Sequence, residues 1–153
     1  MRRPMQQGSE KILRDPFIYS TPAPIIIAPG AAVVSNITVE ADADFQIMKT
    51  CYTAQDNATL GAGSAQTDST RIIPLCSIQI RDTGSGRDMF SQAVSLTSIF
   101  GTGQLPYIWN QPKILAARSI MQLTVTSLVA AGGLTYRLYL DFIGVKMFNV
   151  RMP

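Results

Sequence analysis

From residue 33 onward, apolar and polar side chains alternate with a period of two, the spacing of strands that bury one face. Val33, Ser35, Ile37 and Val39 alternate with Val34, Asn36, Thr38 and Glu40, which predicts a strand over 33–40. An acidic turn, Glu40 to Asp44, leads into a second strand from Phe45 to about Thr53, with Phe45, Ile47 and Cys51 on one face. Together the two read as a hairpin or a corner. Residues 54–69 are rich in Gly, Ala, Ser, Thr, Asn and Asp and predict a long surface loop. A strand over 71–81 follows, with Cys76, Ile78 and Ile80 on one face and Pro74 marking an edge or a bend. The stretch DTGSGRD at 82–88 is a turn, and residues 89–100 fit neither a strand nor a helix period cleanly.

The clearest alternation lies in the last third. Ser119, Met121, Leu123, Val125 and Ser127 share one face of a strand, and Leu134, Tyr136, Leu138, Leu140 and Phe142 share one face of the next. Ala130, Ala131, Gly132 and Gly133 separate them, so an antiparallel hairpin is expected. Gly144 interrupts the pattern as a bulge would, and Val145 to Val150 resumes it. Strands of this kind with no strong helical segment predict an all-β fold, an antiparallel β-sandwich of the jelly-roll type, with a partly open barrel as second choice.

The first 30 residues differ from the rest. Pro4, Pro16, Pro22, Pro24 and Pro29 are five of the nine prolines, and each biases the chain toward extended geometry. The expected organisation is an extended N-terminal arm over residues 1–30 and a sandwich domain over 31–153. Phe17, Ile18, Tyr19 and Ile25 to Ile27 are too apolar for a free linker, so this part is expected to pack on the body or on a neighbour. The net charge of +3 sits wholly in the first 14 residues, where Arg2, Arg3, Lys11 and Arg14 face one acid, Glu10; later residues carry nine charges of each sign. Only 15% of the residues are charged and 46% are hydrophobic, against about 25% charged in an ordinary globular domain. So little charge fits a surface partly covered by partners, and equally a small β-protein with a Ser/Thr-rich surface.

Several chemistries are disfavoured. With no histidine in the chain there is no Ser-His or Cys-His pair, no histidine general base and no histidine zinc ligand. Cys51 and Cys76 lack metal-site spacing, and either a bridge or two buried free thiols fits them, the free thiols being favoured. Glu40, Asp42 and Asp44 fall at every second position, a pattern open to calcium ligation by oxygen, but no other ligands follow at a recognisable spacing and a solvated turn is the better reading. Asp82, Thr83 and Gly84 spell an aspartic-protease turn without the apolar run and flap such an enzyme needs. The expectation is therefore a non-enzyme with no cofactor and no metal. No run approaches the roughly 20 apolar residues of a membrane helix, and no membrane partner is expected. Nucleic acid is not expected either, since four basic residues neutralise few phosphates and the body adds no net positive charge.

Protein contact is the remaining use for the arm and for a pair of large aromatics. Arg2, Arg3, Lys11, Arg14, Phe17 and Tyr19 of the arm, with Tyr107 and Trp109 of a loop expected over 101–112, are the candidate partner-binding residues. Tyr107 and Trp109 would also suit a sugar platform, which keeps a carbohydrate-binding sandwich as a weaker alternative.

Three stretches carry a resemblance: Gly101-x-Gly103-x-Leu105-Pro106-Tyr107-x-Trp109-x-x-Pro112, the run KILAARSIMQLTVTSL at 113–128, and YRLYLDFIGVKMF at 136–148. In these the chain resembles small structural proteins of tailed bacteriophages, and more narrowly their head cement or decoration proteins. The resemblance implies a jelly-roll body, a homodimer or homotrimer on the outside of the virion capsid, the major capsid protein as partner, and no enzymatic activity. The same features would serve a neck, tail or receptor-binding component, or a shell-forming coat protein with a basic arm.

Overall fold

The computed structural model describes residues 10–56 and 72–151. They form an antiparallel sandwich of two sheets, built from β1 (Glu10–Ser20), β2 (Ile25–Ile27), β3 (Ala32–Thr38), β4 (Asp44–Asp56), β5 (Cys76–Asp82), β6 (Arg87–Asp88), β7 (Val94–Ser95), the short helix α1 (Leu96–Ile99), β8 (Tyr107–Leu115), β9 (Ile120–Ser127) and β10 (Tyr136–Arg151). The first sheet runs β1-β10-β4-β8, with β2 also paired to β10; the second runs β3-β9-β5-β6, with β7 also paired to β5. The all-β sandwich expected from the alternation is the fold observed.

The inward faces of β9 and β10 are those the alternation marks, whereas in β4 the extra residue Met48 turns Cys51, expected on the side of Phe45 and Ile47, to the other side, opposite Asp141. In β9, Met121, Leu123 and Val125 are buried, and in β10 Tyr136, Leu138, Leu140 and Phe142. They close on Phe45 and Ile47 of β4, Ile78 and Ile80 of β5 and Leu115 of β8 in one continuous core. Burying such side chains contributes roughly 1.5–3 kcal/mol each before chain entropy opposes it.

What differs is which strands pair. The hairpin expected of β9 and β10 does not form: β9 lies between β3 and β5 in the second sheet, while β10 lies between β1 and β4 in the first. The segment over 128–135 therefore carries the chain across the core from one sheet to the other. Either arrangement gives the same period-two pattern, because both strands bury one face. The β3–β4 connection is likewise a corner, each strand belonging to a different sheet.

The expected division at residue 30 also changes. Residues 10–20 pair along their whole length with β10, from Glu10 opposite Arg151 to Ser20 opposite Asp141, and residues 25–27 pair with Tyr136 to Leu138. This part of the expected arm is an edge of the first sheet. An edge position tolerates Pro16, which a central strand would not. Arg2 and Arg3 lie outside the described residues, as does most of the loop expected over 54–69, of which residues 54–56 belong to β4. The loop expected over 101–112 is shorter, because β8 begins at Tyr107. The ambiguous stretch 89–100 resolves into β7 and α1, with Leu96 and Ile99 turned inward.

Gly144 is a bulge site, as its break in the pattern predicts. The β10–β4 register shifts between Ile143, opposite Lys49, and Gly144, opposite Ile47, so that Met48 is the extra residue. A Cβ at Gly144 would overlap the carbonyl oxygen of Gln46 and press on the Phe45 ring. The missing side chain lets two backbones approach where β10 is re-aimed beside β4. Gly144→Ala is expected to destabilise the protein by roughly 3 kcal/mol, since backbone has to move. A thermal melt at neutral pH checks this, and an unchanged midpoint would contradict it.

Cys51 and Cys76 are both buried free thiols, the favoured of the two readings. Burial raises the Cys76 thiol to about 11. Cys51 is raised by burial and by the Asp141 carboxylate, to which its Sγ donates at 3.7 Å. A thiol reagent at pH 8 is expected to leave both unmodified in the native protein and to titrate both once it is unfolded.

Candidate functional site

The two sheets present unlike outer faces. On the second, Val34, Thr124 and Gln79 form one row across β3, β9 and β5, and Asn36, Gln122 and Arg81 the next. These are mostly polar side chains suited to water. On the first sheet two rows are apolar at three of their four positions. Ile18 lies opposite Ile143, which lies opposite Lys49, which lies opposite Ile108, across β1, β10, β4 and β8. The next row reads Pro16, Val145, Gln46 and Ile114. Ile108 is 61% exposed, Ile18 56% and Ile114 52%, and Met48 projects from its bulge between the rows. Scattered surface aliphatics are ordinary, but a contiguous apolar sheet face is the mark of a covered surface.

The face continues onto a ribbon made by the first half of β1 and the end of β10. Arg14 pairs with Met147 and Ile12 with Asn149 on its outer side. Leu13 pairs with Phe148 on the inner side, and both Ile12 and Leu13 are exposed. Exposure on both sides places this end of the ribbon beyond the core.

One buried cation ties the ribbon to the body. Lys146 is 5% exposed, its ammonium bonded to Glu40 and, at 3.0 Å, to Asp42, and it sits 4.1 Å from the centre of the Phe17 ring. Burial pulls the ammonium pKa down, yet the hydrogen bonds to Glu40 and Asp42 outweigh this and hold it above the ordinary lysine value. The bond from Lys146 in turn lowers the Asp42 carboxyl below its ordinary value. The carboxylates expected as a solvated turn thus have work: Glu40 and Asp42 hold Lys146, and Asp44 accepts the Ala117 N–H at 2.8 Å.

The partner-binding candidates fall into three groups. Lys11 and Arg14 are exposed on β1. Phe17 and Tyr19 face inward: Tyr19 is buried, stacks edge-on against Phe45 at 4.7 Å, and its hydroxyl accepts the Glu40 N–H at 2.9 Å. Phe17 lies 4.8 Å from Tyr19, under Lys146. These two anchor β1 and are not free for a neighbour. Trp109 is also drawn inward, stacked on Phe90 at 6.2 Å, with its Nε1–H donated to Thr50 Oγ1 at 3.3 Å, whose own hydroxyl donates to the Ile99 carbonyl. Tyr107 meets it edge-on and stays 36% exposed. One flat platform for a sugar ring is not formed, because Tyr107 and Trp109 stand nearly perpendicular, at 88°.

Asp82 of the DTG stretch is turned into its own turn, accepting the Gly84 N–H at 3.0 Å and the Ser85 hydroxyl at 2.7 Å. A depression of about 330 Å³ lies beside it, between Asp44, Asp82, Arg87 and Lys113. Both of its carboxylates already serve backbone N–H groups. No group of three or more metal-ligating side chains occurs among the described residues, and none of the helices among them is long and apolar enough to cross a membrane.

Sequence reasoning missed the apolar face because its residues come from four strands whose order only the structure gives. The signal was present in β10 itself, where Ile143, Val145 and Met147 are apolar on the side opposite the core. The chain matches no protein-family model and no curated protein.

The Lys146 cluster gives stability a definite pH dependence. A depressed Asp42 contributes stability that is complete above the ordinary value of 3.8 and is lost as pH falls through its lower folded value. The raised Lys146 contributes stability that is complete below 10.5 and is lost as pH rises through its higher folded value. Melting temperature is expected to fall between about pH 5 and pH 2, and Asp42→Asn to flatten that fall. An identical acid profile in the variant would contradict the role given to Asp42.

Proposed function

We propose that this chain is a non-enzymatic structural protein of a virus particle, a head cement or decoration protein of a tailed bacteriophage that stabilises the capsid shell from outside. The observation that carries the structural role is the unlike pair of sheet faces, one mostly polar, the other with two rows apolar on β1, β10 and β8. A surface of that kind is covered in the working state. The phage assignment rests on the resemblance in the stretches at 101–112, 113–128 and 136–148. The strand orders β1-β10-β4-β8 and β3-β9-β5-β6 support reading the sandwich as a jelly roll, two facing sheets between which the chain crosses repeatedly.

In this role the ribbon carries Lys11 and Arg14 out from the core, on the same segment as Arg2 and Arg3. Four cations within the first 14 residues of the sequence, ahead of a body without net charge, favour acidic groups on a neighbouring shell subunit. Many weak attachments, one per copy, add up to strong attachment on a repetitive shell. The shell contact is tested by deleting residues 2–9. A longer deletion to residue 14 would strip β1 of residues paired with Met147 to Arg151.

The expected outcome is that the tagged full chain, produced during infection, sediments with purified particles at hundreds of copies each, counted by quantitative mass spectrometry against the shell protein. The 2–9 deletion should fold with the same melting temperature and bind particles at least tenfold less. About a dozen copies would assign the chain to a neck or tail position instead. A full chain absent from particles would overturn the virion role.

A further inference from the structure

The apolar face of the first sheet is self-complementary about the line of β10. Three rows cross that strand, and in each the two flanking residues differ in character. Arg14 and Asp44 flank Met147; Pro16 and Gln46 flank Val145; Ile18 and Lys49 flank Ile143. A two-fold axis laid in the surface along β10 exchanges the flanks. It sets Arg14 of one copy over Asp44 of the other, and does so twice.

We propose that the β1, β10 and β4 part of this face is covered by a second copy of the chain, packed face to face about a two-fold axis along β10, with β8 and its Ile108 and Ile114 lying beyond the overlap. The proposal rests on reading the face as the assembled surface and names what covers it. Ile143, Val145 and Met147 then meet their own symmetry mates along the axis. Ile18 lies on the aliphatic stem of the opposite Lys49, whose ammonium reaches the rim. Arg14 is exposed on β1, and among the described residues neither it nor Asp44 has an ion-pair partner within the chain. Asp44 gives one oxygen to the Ala117 N–H and has the other available. Stacked sheets keep their strands within about 30° of each other, so the axis bisects a small angle between the two β10 strands.

Size makes the pairing a weak one. Three strands about 4.8 Å apart and three rows of same-face residues about 6.8 Å apart make an overlap on the order of 300 Å² per copy. A stable dimer of ordinary size covers about 800 Å² per partner, so this dimer forms reversibly and is reinforced by neighbours in an assembly. The pairing leaves the polar face of the second sheet in water.

Sedimentation velocity of the full chain over a concentration series tests the proposal. The wild-type chain is expected to pass from monomer to dimer as concentration rises. Val145→Glu, at the centre of the face, should hold it monomeric, and Thr124→Glu, on the outer face of the second sheet, should leave association unchanged. Arg14→Glu and Asp44→Lys should each weaken association about tenfold, and the double variant should recover most of it, because the reversed pairs still match. Thermal melts show that each variant is folded. Failure of the double variant to recover, with Val145→Glu still monomeric, would overturn the two-fold arrangement while leaving the face an assembled surface. A wild-type chain monomeric throughout, whose incorporation into particles is nonetheless blocked by Val145→Glu, would overturn the second copy as occupant and leave the shell itself covering the face.

Discussion

Strand β10 has to satisfy two surfaces at once, and the rest of the molecule is arranged around that. Its sixteen residues pair with β1 and β2 on one side and β4 on the other, so the first sheet exists only through it. One face supplies Tyr136, Leu138, Leu140 and Phe142 to the core; along the other, Arg137, Tyr139 and Asp141 give way to the half-buried Ile143, Val145 and Met147. Alternation normally resolves into apolar and polar sides, and a stretch apolar on both, as over 142–147 apart from Lys146, is one covered on both. Gly144 makes the run continuous, since only a residue without a Cβ lets β10 pass Gln46 where the register slips. Beyond that point Lys146 takes an inward position, and Glu40, Asp42 and Phe17 supply the charge and the ring that make a buried ammonium tolerable.

Much of the fold was legible because period-two alternation reports which side chains meet the core. It identified the inward residues of β9 and β10, the turn after Glu40, the turn at Asp82 and the irregularity at Gly144. It could not report pairing. A strand that buries one face reads the same whether its neighbour in sequence lies beside it or across the core, which is why β9 and β10 looked like a hairpin. Prolines misled in a similar way: Pro16 marks extended chain, and an edge strand is as extended as a free arm.

The candidate site was legible only in part, for the same reason. Tyr19 and Trp109 stood out as large aromatics near the surface in sequence, but each has a polar tip that finds a partner inside, Glu40 N–H for one and Thr50 for the other. Their amphipathic character suits an interface and a core margin equally. The face that does stand exposed gathers Pro16, Ile18, Met48, Ile108, Ile114, Ile143 and Val145 from four strands. No window of sequence contains that grouping.

Two methionines on that face report directly on whether it is covered. Met48 is exposed at the bulge and Met147 lies on the outer side of β10, whereas Met89 packs against the core elsewhere. Oxidative footprinting read by mass spectrometry, with the chain first dilute and then assembled, should show Met48 and Met147 becoming protected while Met89 is unchanged. Equal oxidation of Met48 and Met147 in both states would contradict the claim that the first sheet's outer face is the surface this protein uses.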